Sequence, residues 1–173
     1  AEKLITEKIF CFCLVWSFGA SCIAEHRMIM DQAIKDCENM FPPAHSCYDY
    51  VWNYEKNGGD WSSWEEFSPI LRNPYKPPID SDGSFSFHKI IVPTVDTVRN
   101  GFVIKNLIDN GKHFLAVGET GTGKTVCANQ CIGELNTDTW AACNIYFSAG
   151  TTSPGVQDII EGKVEKRIKN KFG

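Results

Sequence analysis

The stretch that decides the fold reads Gly118-Glu119-Thr120-Gly121-Thr122-Gly123-Lys124-Thr125. It matches the phosphate-binding P-loop pattern G-x-x-x-x-G-K-[ST] at every fixed position. Glycines at the first, fourth and sixth positions let the backbone curl until its N–H groups converge on phosphate oxygens. A helix that follows such a loop adds the positive end of its dipole. The stretch therefore predicts a site for the phosphates of a nucleotide.

Two side chains of this loop carry the chemistry that the motif predicts. Lys124 would reach the β- and γ-phosphates of ATP or ADP as a mobile point charge, and the Thr125 hydroxyl would ligate Mg²⁺. A short apolar run over residues 113–117 predicts a buried strand before the loop, and Val126 begins a predicted helix over residues 126–135. The motif requires this strand before the loop and this helix after it. The simpler alternative is that residues 118–125 form a glycine-rich turn that binds no ligand.

The residues after the loop continue the alternation of strands and helices. Residues 142–147 predict a second buried strand, and Ser153 would cap a further helix with Pro154 at its first position. The apolar residues that would share one face of this helix are Val156, Ile159, Ile160, Val164 and Ile168. The order predicts an α/β fold, an incomplete P-loop NTPase with a parallel sheet and right-handed crossovers.

The residues before the loop are α-rich at first and irregular later. Apolar residues predict a helix over residues 1–20 and a second helix over residues 25–40, with Met28, Ile29, Ala33, Ile34 and Cys37 recurring at helical spacing. A third helix would run to Asp109, capped by Thr94 or Asp96 and closed by Asn110-Gly111.

The middle of the chain is rich in aromatic residues. Alternation from Tyr48 to Tyr54 predicts a strand, and residues 57–60, Asn-Gly-Gly-Asp, predict a turn. Trp61, Trp64 and Phe67 indicate a packing cluster rather than a ligand site. Prolines then mark an irregular connection, and residues 85–92 predict another short strand.

Composition argues against several other classes of protein. Of the 173 residues, 43% are hydrophobic and 22% charged, as in a globular protein, and the net charge of −4 argues against nucleic-acid binding. The apolar stretch over residues 9–23 is shorter than the roughly 20 residues of a membrane span, so it predicts a buried helix and no membrane contact. The C-terminal cations predict a solvated helix end; they are Lys163, Lys166, Arg167, Lys169 and Lys171.

The eight cysteines indicate the redox compartment of the protein, and the two termini indicate whether the chain is part of a longer one. No pair of CxxC motifs occurs, so we expect buried free thiols in a reducing compartment rather than a zinc ribbon. The N-terminus carries no secretory signal pattern. The chain starts without Met and stops after Lys171-Phe172-Gly173, which indicates a piece of a longer protein.

Hydrolysis needs more than a phosphate-binding loop. An acidic residue on a neighbouring strand must hold Mg²⁺ or orient water, and an arginine finger often completes the site. The second predicted strand instead ends in Ser148-Ala149-Gly150, and Asp158 and Glu161 fall on a predicted helix. The sequence therefore predicts nucleotide binding with no catalytic residue within this chain.

Separated motifs, in the same order, resemble those of dynein heavy chains. The segments that carry this resemblance are Val15-Trp16-Ser17-Phe18-Gly19, the pair Trp61 and Trp64, Ile91-Val92-Pro93-Thr94-Val95-Asp96-Thr97-Val98-Arg99, the P-loop, Tyr146-Phe147-Ser148-Ala149 with Thr151-Thr152, Gln157-Asp158-Ile159-Ile160-Glu161 and Lys166-Arg167. They look like the end of the second AAA+ module and the opening of the third. Glu119 and Val126 make the P-loop look more like that of axonemal than of cytoplasmic dyneins.

The resemblance implies a parent protein that is a ciliary or flagellar microtubule motor with a ring of six AAA+ modules. Residues 1–85 would be the small subdomain of one module plus a connector, and residues 86–173 the first part of the next nucleotide-binding domain. Val92, Pro93 and Thr94 would lie beside the adenine. The acidic strand, the sensor residues and the arginine finger would lie beyond residue 173. Implied partners are other AAA+ modules of the same heavy chain, intermediate and light chains, and microtubules.

Three functions remain open at this point: a piece of a motor ATPase whose site binds ATP or ADP and regulates the ring, a nucleotide-binding scaffold that does not hydrolyse, and an unrelated P-loop NTPase. The role of Arg99 is also open, between a structural helix charge and a phosphate contact. His113 is expected to be a polar residue at the edge of a strand rather than a ligand.

Overall fold

The computed structural model describes residues 2–37, 40–77, 79, 83, 90–164, 166–168 and 171–172. It divides into two compact units, Ala1–Val117 and Gly118–Gly173, which are described separately. The first unit contains α1 (Glu2–Ser17), α2 (Ala24–Cys37), β1 (Tyr50–Asn53), β2 (Asp60–Ser63), α3 (Trp64–Phe67), α4 (Pro69–Arg72) and α5 (Val95–Asp109), with 3-10 turns at Gly19–Ser21 and Cys47–Asp49. The second contains α6 (Lys124–Gly133), α7 (Ser153–Glu161), β3 (Lys166–Ile168) and β4 (Lys171–Phe172).

The core of the first unit is built from aromatic side chains. Trp16 of α1 meets Tyr48 and Trp64 edge to face, with ring centroids 6.1 and 6.2 Å apart. The Trp64 indole Nε1 donates a hydrogen bond of 2.8 Å to the Tyr48 carbonyl, so this fully buried ring has a partner for its polar atom. Trp61 packs on Phe41 with centroids 4.4 Å apart. The prediction of an aromatic packing cluster is confirmed.

The β-hairpin that carries this core has the predicted turn. β1 and β2 pair antiparallel, with Trp52 opposite Trp61. Asn57 and the two glycines after it all adopt positive φ, at 51°, 80° and 121°, which explains the Asn-Gly-Gly sequence.

The predicted strand from Tyr48 to Tyr54 is shorter in the structure, since Tyr48 lies in a 3-10 turn and Tyr54 follows β1 and is exposed. The predicted alternation is also wrong, since Val51 is buried along with Tyr50 and Trp52. Strand β1 is covered on both faces, because consecutive residues of a strand point to opposite faces and Tyr50, Val51 and Trp52 are all buried.

Helix α1 matches the predicted helix over residues 1–20. Cys11, Val15 and Trp16 are buried while Phe10 is exposed, so one face enters the core. By length and composition alone, the stretch Lys3–Ser21 is also long and apolar enough to cross a membrane, contrary to the estimate from residues 9–23. The core helix of a soluble protein and a signal sequence near an N-terminus meet the same criterion of length and composition. In the structure, one face of α1 packs into the aromatic core.

Helix α2 is confirmed, but its predicted apolar face is mostly exposed. Only Ile34 is buried, whereas Met28 and Ile29 are exposed. The helix is held instead by polar contacts of Asp31, whose Oδ1 accepts a 2.6 Å hydrogen bond from the Cys47 backbone N–H. Helical spacing locates the helix correctly, but it does not decide which neighbours cover each face.

Helix α5 packs on the aromatic core through Phe102. Its ring lies 5.4 Å from Trp64, 5.6 Å from Phe67 and 6.2 Å from Phe12, measured between centroids. The helix starts after Thr94, whose hydroxyl accepts a hydrogen bond from the Thr97 N–H, so Thr94 rather than Asp96 is the cap. Gly111 follows the end of the helix with a φ of 64°, as the predicted Asn-Gly stop requires.

The helices of the second unit are present with shifted bounds. Helix α6 begins at Lys124, two residues before the prediction, because Gly123 in the left-handed conformation serves as its N-cap. Helix α7 is capped by Thr152, whose Oγ1 accepts from the Gly155 N–H, so Ser153 is its first residue and Pro154 its second. The prediction that Ser153 is the cap is wrong by one position.

The C-terminal part of the helix prediction is wrong. Helix α7 ends at Glu161 with Gly162 as its C-cap, so Val164 and Ile168 do not extend its apolar face. Lys166 and Arg167 lie in β3 and Lys171 in β4, two strands that pair antiparallel. The cation cluster is therefore not a helix end, and Lys169 lies outside the described residues. The glycine after Glu161 ends the helix before the cations.

The predicted parallel sheet is not formed within the described ranges. Residues 113–117 and 142–147 adopt no strand, and most of their large apolar side chains are exposed, Leu115 at 87% and Tyr146 at 78%, while Phe114 and Ile145 are half-buried. A strand needs neighbours for its N–H and C=O groups, so strand propensity alone does not create a sheet. Of the strand predicted over residues 85–92, residues 85–89 lie outside the described part of the chain, and residues 90–92 are not in a strand.

Candidate phosphate-binding loop

The backbone of the P-loop depends on two of its glycines. Gly121 and Gly123 have φ values of 85° and 78°, in the left-handed region that other residues avoid. Gly118 has no positive φ; its carbonyl instead accepts a hydrogen bond from Lys124. Two of the three glycines therefore serve the conformational role predicted for them, and a side chain at either would strain the loop.

Lys124 lies at the first position of α6 and reaches back over the loop. Its Nζ donates to the Gly118 carbonyl at 2.9 Å and to the Thr122 hydroxyl at 3.2 Å, and it also contacts the Glu119 carbonyl. Thr122 donates in turn to the Glu119 carbonyl at 2.9 Å. The ammonium group is thus held against the carbonyl groups of residues 118 and 119.

The N-terminus of α6 is open to an anion. Its N-cap, Gly123, makes no side-chain capping hydrogen bond. The N–H groups of the first helical turn, at Lys124, Thr125 and Val126, have no carbonyl partner within the helix. They carry the positive end of the helix dipole. Thr125 is exposed on this first turn, where a hydroxyl ligand to Mg²⁺ would be needed.

The loop is exposed except at the half-buried Lys124, and its formal charges balance. Glu119 and Lys124 carry opposite charges, and Thr120 between them is exposed. A bound polyphosphate would therefore be held by backbone dipoles and by one lysine, with Mg²⁺ required to offset its remaining charge. The donor set fits a phosphate–magnesium group: backbone N–H groups, one ammonium and one hydroxyl.

The residues expected beside the adenine belong to the first unit. Val92 is 57% exposed, and Pro93 is half-buried. The Thr94 hydroxyl is engaged in the capping box of α5, where the Thr94 N–H also donates to Thr97 Oγ1 at 2.8 Å. These three residues form the segment directly before α5, and their role towards a nucleotide stays a prediction.

Side-chain hydroxyl groups form hydrogen bonds within the loop that follows residues 142–147, the second predicted strand. The Ser148 N–H donates to Thr151 Oγ1 at 2.8 Å, and the Ser148 hydroxyl accepts from the Gly150 N–H. Asp158 is exposed on α7, as predicted, and Glu161 accepts a hydrogen bond from Gln157. Both carboxylates lie on α7, and the expectation that this chain holds no catalytic residue stays a prediction.

The structure decides the role of Arg99 in favour of the structural alternative. Its side chain is buried and pairs with Asp96 on the same helix and with Asp49, 3.9 Å away. Sequence reasoning missed Asp49, and no sequence signal links it to a helix that begins about 45 residues later. His113 is exposed rather than at a strand edge.

None of the eight cysteines, all of which the structure describes, forms a disulfide, but the prediction that they are buried is only partly correct. Cys11, Cys47 and Cys131 are buried, whereas Cys13, Cys37 and Cys143 are exposed. Burial raises the pKa of the Cys47 thiol to about 12 and that of Cys131 to about 11. These two thiols therefore stay protonated at neutral pH.

Two family models match separate parts of the chain. The family described as "P-loop containing dynein motor region" matches residues 79–173, and the family described as "Dynein heavy chain AAA lid domain" matches residues 1–66. No solved structure matches the chain significantly.

Relatives of known name align along nearly the whole chain. The dynein-1-beta heavy chain of the flagellar inner arm I1 complex of Chlamydomonas reinhardtii is 37% identical over 168 residues, which cover 97% of this chain and 4% of that protein. Dynein axonemal heavy chain 2 of Mus musculus is 37% identical over 171 residues, 98% of this chain and 4% of that protein. The chain thus spans a small part of these relatives. With both family matches in the predicted order, this chain belongs to the dynein heavy-chain family.

Proposed function

We propose that this chain is the nucleotide-binding segment of an axonemal dynein heavy chain, in which residues 118–125 hold the phosphates of ATP or ADP together with Mg²⁺. The observation that carries the proposal is the uncapped N-terminus of α6 directly beside the Lys124 ammonium. The axonemal names of its relatives support the ciliary or flagellar setting. Residues 1–85 would be the end of the second AAA+ module with its connector, and residues 86–173 the opening of the third.

The chain's own residues would bind and orient the nucleotide. Backbone N–H groups of the loop and of the first turn of α6 would bind phosphate oxygens. Lys124 would exchange its contacts with the loop carbonyls for contacts with the β- and γ-phosphates, and Thr125 would hold Mg²⁺. The bound metal offsets phosphate charge. Val92, Pro93 and Thr94 would contact the adenine.

The remaining machinery would come from outside these residues. The acidic strand that holds Mg²⁺ or orients water would follow residue 173, and the arginine finger would come from a neighbouring module. The other AAA+ modules of the same heavy chain are therefore the direct partners of this segment. Intermediate and light chains and microtubules would be partners of the whole protein.

Replacement of Lys124 tests the site directly. In the full-length heavy chain, Lys124→Ala should weaken MgATP binding at this loop by about 1.5–3 kcal/mol, or roughly ten- to hundredfold, because a charge-assisted contact is lost. Hydrogen exchange of the amides of residues 118–127, followed over a titration with MgATP, reports this site separately from other nucleotide sites.

Lys105→Ala is the matched control, because it removes an exposed lysine from α5 without touching the loop. It should leave the titration of the loop amides unchanged. Equal protection of the loop by MgATP in the Lys124→Ala and wild-type proteins would refute the phosphate-binding role of Lys124.

A second candidate is a nucleotide-binding scaffold that does not hydrolyse, and the Ser148-Ala149-Gly150 sequence after residues 142–147 fits both candidates. The two functions differ in turnover. If Lys124→Ala empties this site but leaves the steady-state ATPase rate of the heavy chain unchanged, the scaffold function is favoured. A fall in that rate favours a regulatory or hydrolytic site.

A further inference from the structure

Helix α6 carries two cysteines on the same face. Cys127 and Cys131 are four residues apart, and residues at this spacing lie one above the other on the surface of a helix. Their thiol groups form a hydrogen bond with each other. Both residues belong to the second compact unit. The helix therefore brings two sulfur atoms together within a single, locally defined element.

The two cysteines differ in how far solvent reaches them. Cys131 is the buried residue of α6, with 8% of its surface exposed, whereas Cys127 is half-buried. The Cys127 N–H donates a 2.9 Å hydrogen bond to the Gly123 carbonyl, which fixes its backbone in the first turns of the helix. One thiol is thus open to an incoming ion, and the other is held behind it. The simpler alternative is that both are small apolar residues of the helix.

The spacing of the pair suits a bridging atom better than a disulfide. Residues four apart on a helix have Cβ atoms about 5–6 Å from each other. A disulfide needs a Cβ separation of about 3.5–4.5 Å, so it would distort α6. Bonds of about 2.3 Å from one metal ion to two sulfur atoms span up to about 4.6 Å when the three atoms are in line. A two-coordinate ion can therefore join the thiols while the helix stays intact.

The number and type of ligands select the class of ion. Within the part of the chain that the structure describes, no group of three or more His, Cys, Asp and Glu side chains is arranged to hold a metal ion. A structural Zn²⁺ site takes four ligands, and Mg²⁺ and Ca²⁺ prefer oxygen. Thiolates favour soft ions such as Cu(I), and this ion accepts two thiolates in a linear arrangement. A pair of thiols on one helix face thus fits Cu(I).

We propose that Cys127 and Cys131 form a binding site for Cu(I). One ion replaces the two thiol protons: two S–H bonds break, two Cu–S bonds form, and both protons pass to the solvent. The copper stays in its +1 state, and the dithiolate complex carries one negative charge. The bound ion links successive turns of α6. The site uses neither the Lys124 ammonium nor the Thr125 hydroxyl, so it does not rest on the proposed binding of a nucleotide.

The experiment uses the full-length heavy chain under anaerobic conditions, with the free Cu(I) concentration set by a bicinchoninate buffer. Alkylation of Cys127 by N-ethylmaleimide is followed by mass spectrometry of the peptide that contains it. We expect Cu(I) to protect Cys127 in the wild-type protein. In Cys131→Ser, the same protection should need at least about tenfold more free Cu(I), because the second linked ligand is lost.

Hydrogen exchange of the α6 amides gives a second measurement that does not depend on thiol chemistry. Saturating Cu(I) should slow exchange of these amides at least about twofold in wild type, since even weak contacts between residues four apart stabilise a helix. The effect should be absent in Cys131→Ser and also in Cys131→Ala, a second variant in case serine disturbs the helix.

Cys143 supplies the matched control, because it is an exposed cysteine of the same unit that lies outside α6. Cys143→Ser should keep both effects of Cu(I). In the wild-type protein, Cys143 itself should be protected only at the higher free Cu(I) that a single thiol needs. Lys124→Ala, which tests the phosphate site, should leave the protection of Cys127 unchanged, so failure of either site is observed separately.

Three results would overturn the copper site. One is the same dependence on free Cu(I) for Cys127 in wild type and in Cys131→Ser. Another is protection of Cys143 at the free Cu(I) that protects Cys127, because any exposed thiol would then suffice. The third is no protection of Cys127 and no slowing of exchange in α6, which would show that the two cysteines serve only as small apolar residues.

Discussion

The contact between Gly19 and Tyr48 gives a stability prediction that can be worked out from the structure. Gly19 begins the turn after α1, and its φ is not in the left-handed region. A Cβ added there would overlap the Tyr48 hydroxyl oxygen and lie 3.1 Å from Cζ. Tyr48 is 2% exposed and cannot move aside, because its ring also packs on Trp16. Glycine is therefore needed here for close approach.

The expected magnitudes follow from the atoms involved. Gly19→Ala overpacks a rigid site and should cost about 1–3 kcal/mol, partly offset by about 0.5–1 kcal/mol of reduced unfolded-state entropy. Tyr48→Phe loses a buried hydrogen bond and should cost about 1–1.5 kcal/mol. In the double variant the overlapping oxygen is gone. Its cost should therefore fall about 1–2 kcal/mol below the sum of the single variants.

The assay is the opening free energy of the α1 amides, measured by native-state hydrogen exchange in the full-length heavy chain. Gly133→Ala is the control, because a Cβ there has no atom within 4 Å at the end of α6. That control should be neutral or slightly stabilising for α6. Strict additivity of Gly19→Ala and Tyr48→Phe would refute the reasoning, since it would show that the methyl group and the hydroxyl do not meet.

Two further predictions concern titration of the first unit and the reactivity of thiols. Burial raises the pKa of Asp31, but hydrogen bonds from Cys47 and Lys35 lower it by more, so the net shift is downward. A lowered folded-state pKa means that stability is fully present above the unfolded pKa of about 3.9 and is lost as pH falls through the folded value. Acid titration of α2 stability by hydrogen exchange should show this loss, and Asp31→Asn should remove it. Alkylation at pH 8 followed by mass spectrometry should modify exposed Cys13 far faster than buried Cys47 or Cys131, whose pKa values are about 12 and 11; equal rates would contradict the burial.

The elements that sequence predicts correctly are those whose signals are local. The cap and stop of α5, at Thr94 and Gly111, follow from hydrogen bonds within a few residues. The turn at residues 57–60 follows from the same kind of rule, because only certain residues accept positive φ. The sequence predicts the starts of helices less closely. Helices α6 and α7 begin within two residues of their predicted starts, because residues such as Gly123 and Thr152 compete with their neighbours for the cap position.

The predicted strands failed for a physical reason that sequence periodicity does not contain. Residues 113–117 and 142–147 have the composition of buried strands, yet a strand is completed only by the hydrogen bonds of its neighbours. The apolar face predicted for α2 shows the same limit, because Ile34 is its only residue that is buried. Both depend on residues distant in sequence, which no local pattern specifies.

The sequence by itself determined the conformation of the loop that we propose binds phosphate. The P-loop motif places two left-handed glycines, a lysine and a hydroxyl in a fixed order along the chain, and the structure holds them at the start of α6 because that order is covalent. Only the tertiary structure decided what Arg99 does. Its partner Asp49 is brought to it by the packing of α5 on an aromatic core, and pairing across such a distance in sequence depends on burial of both regions together.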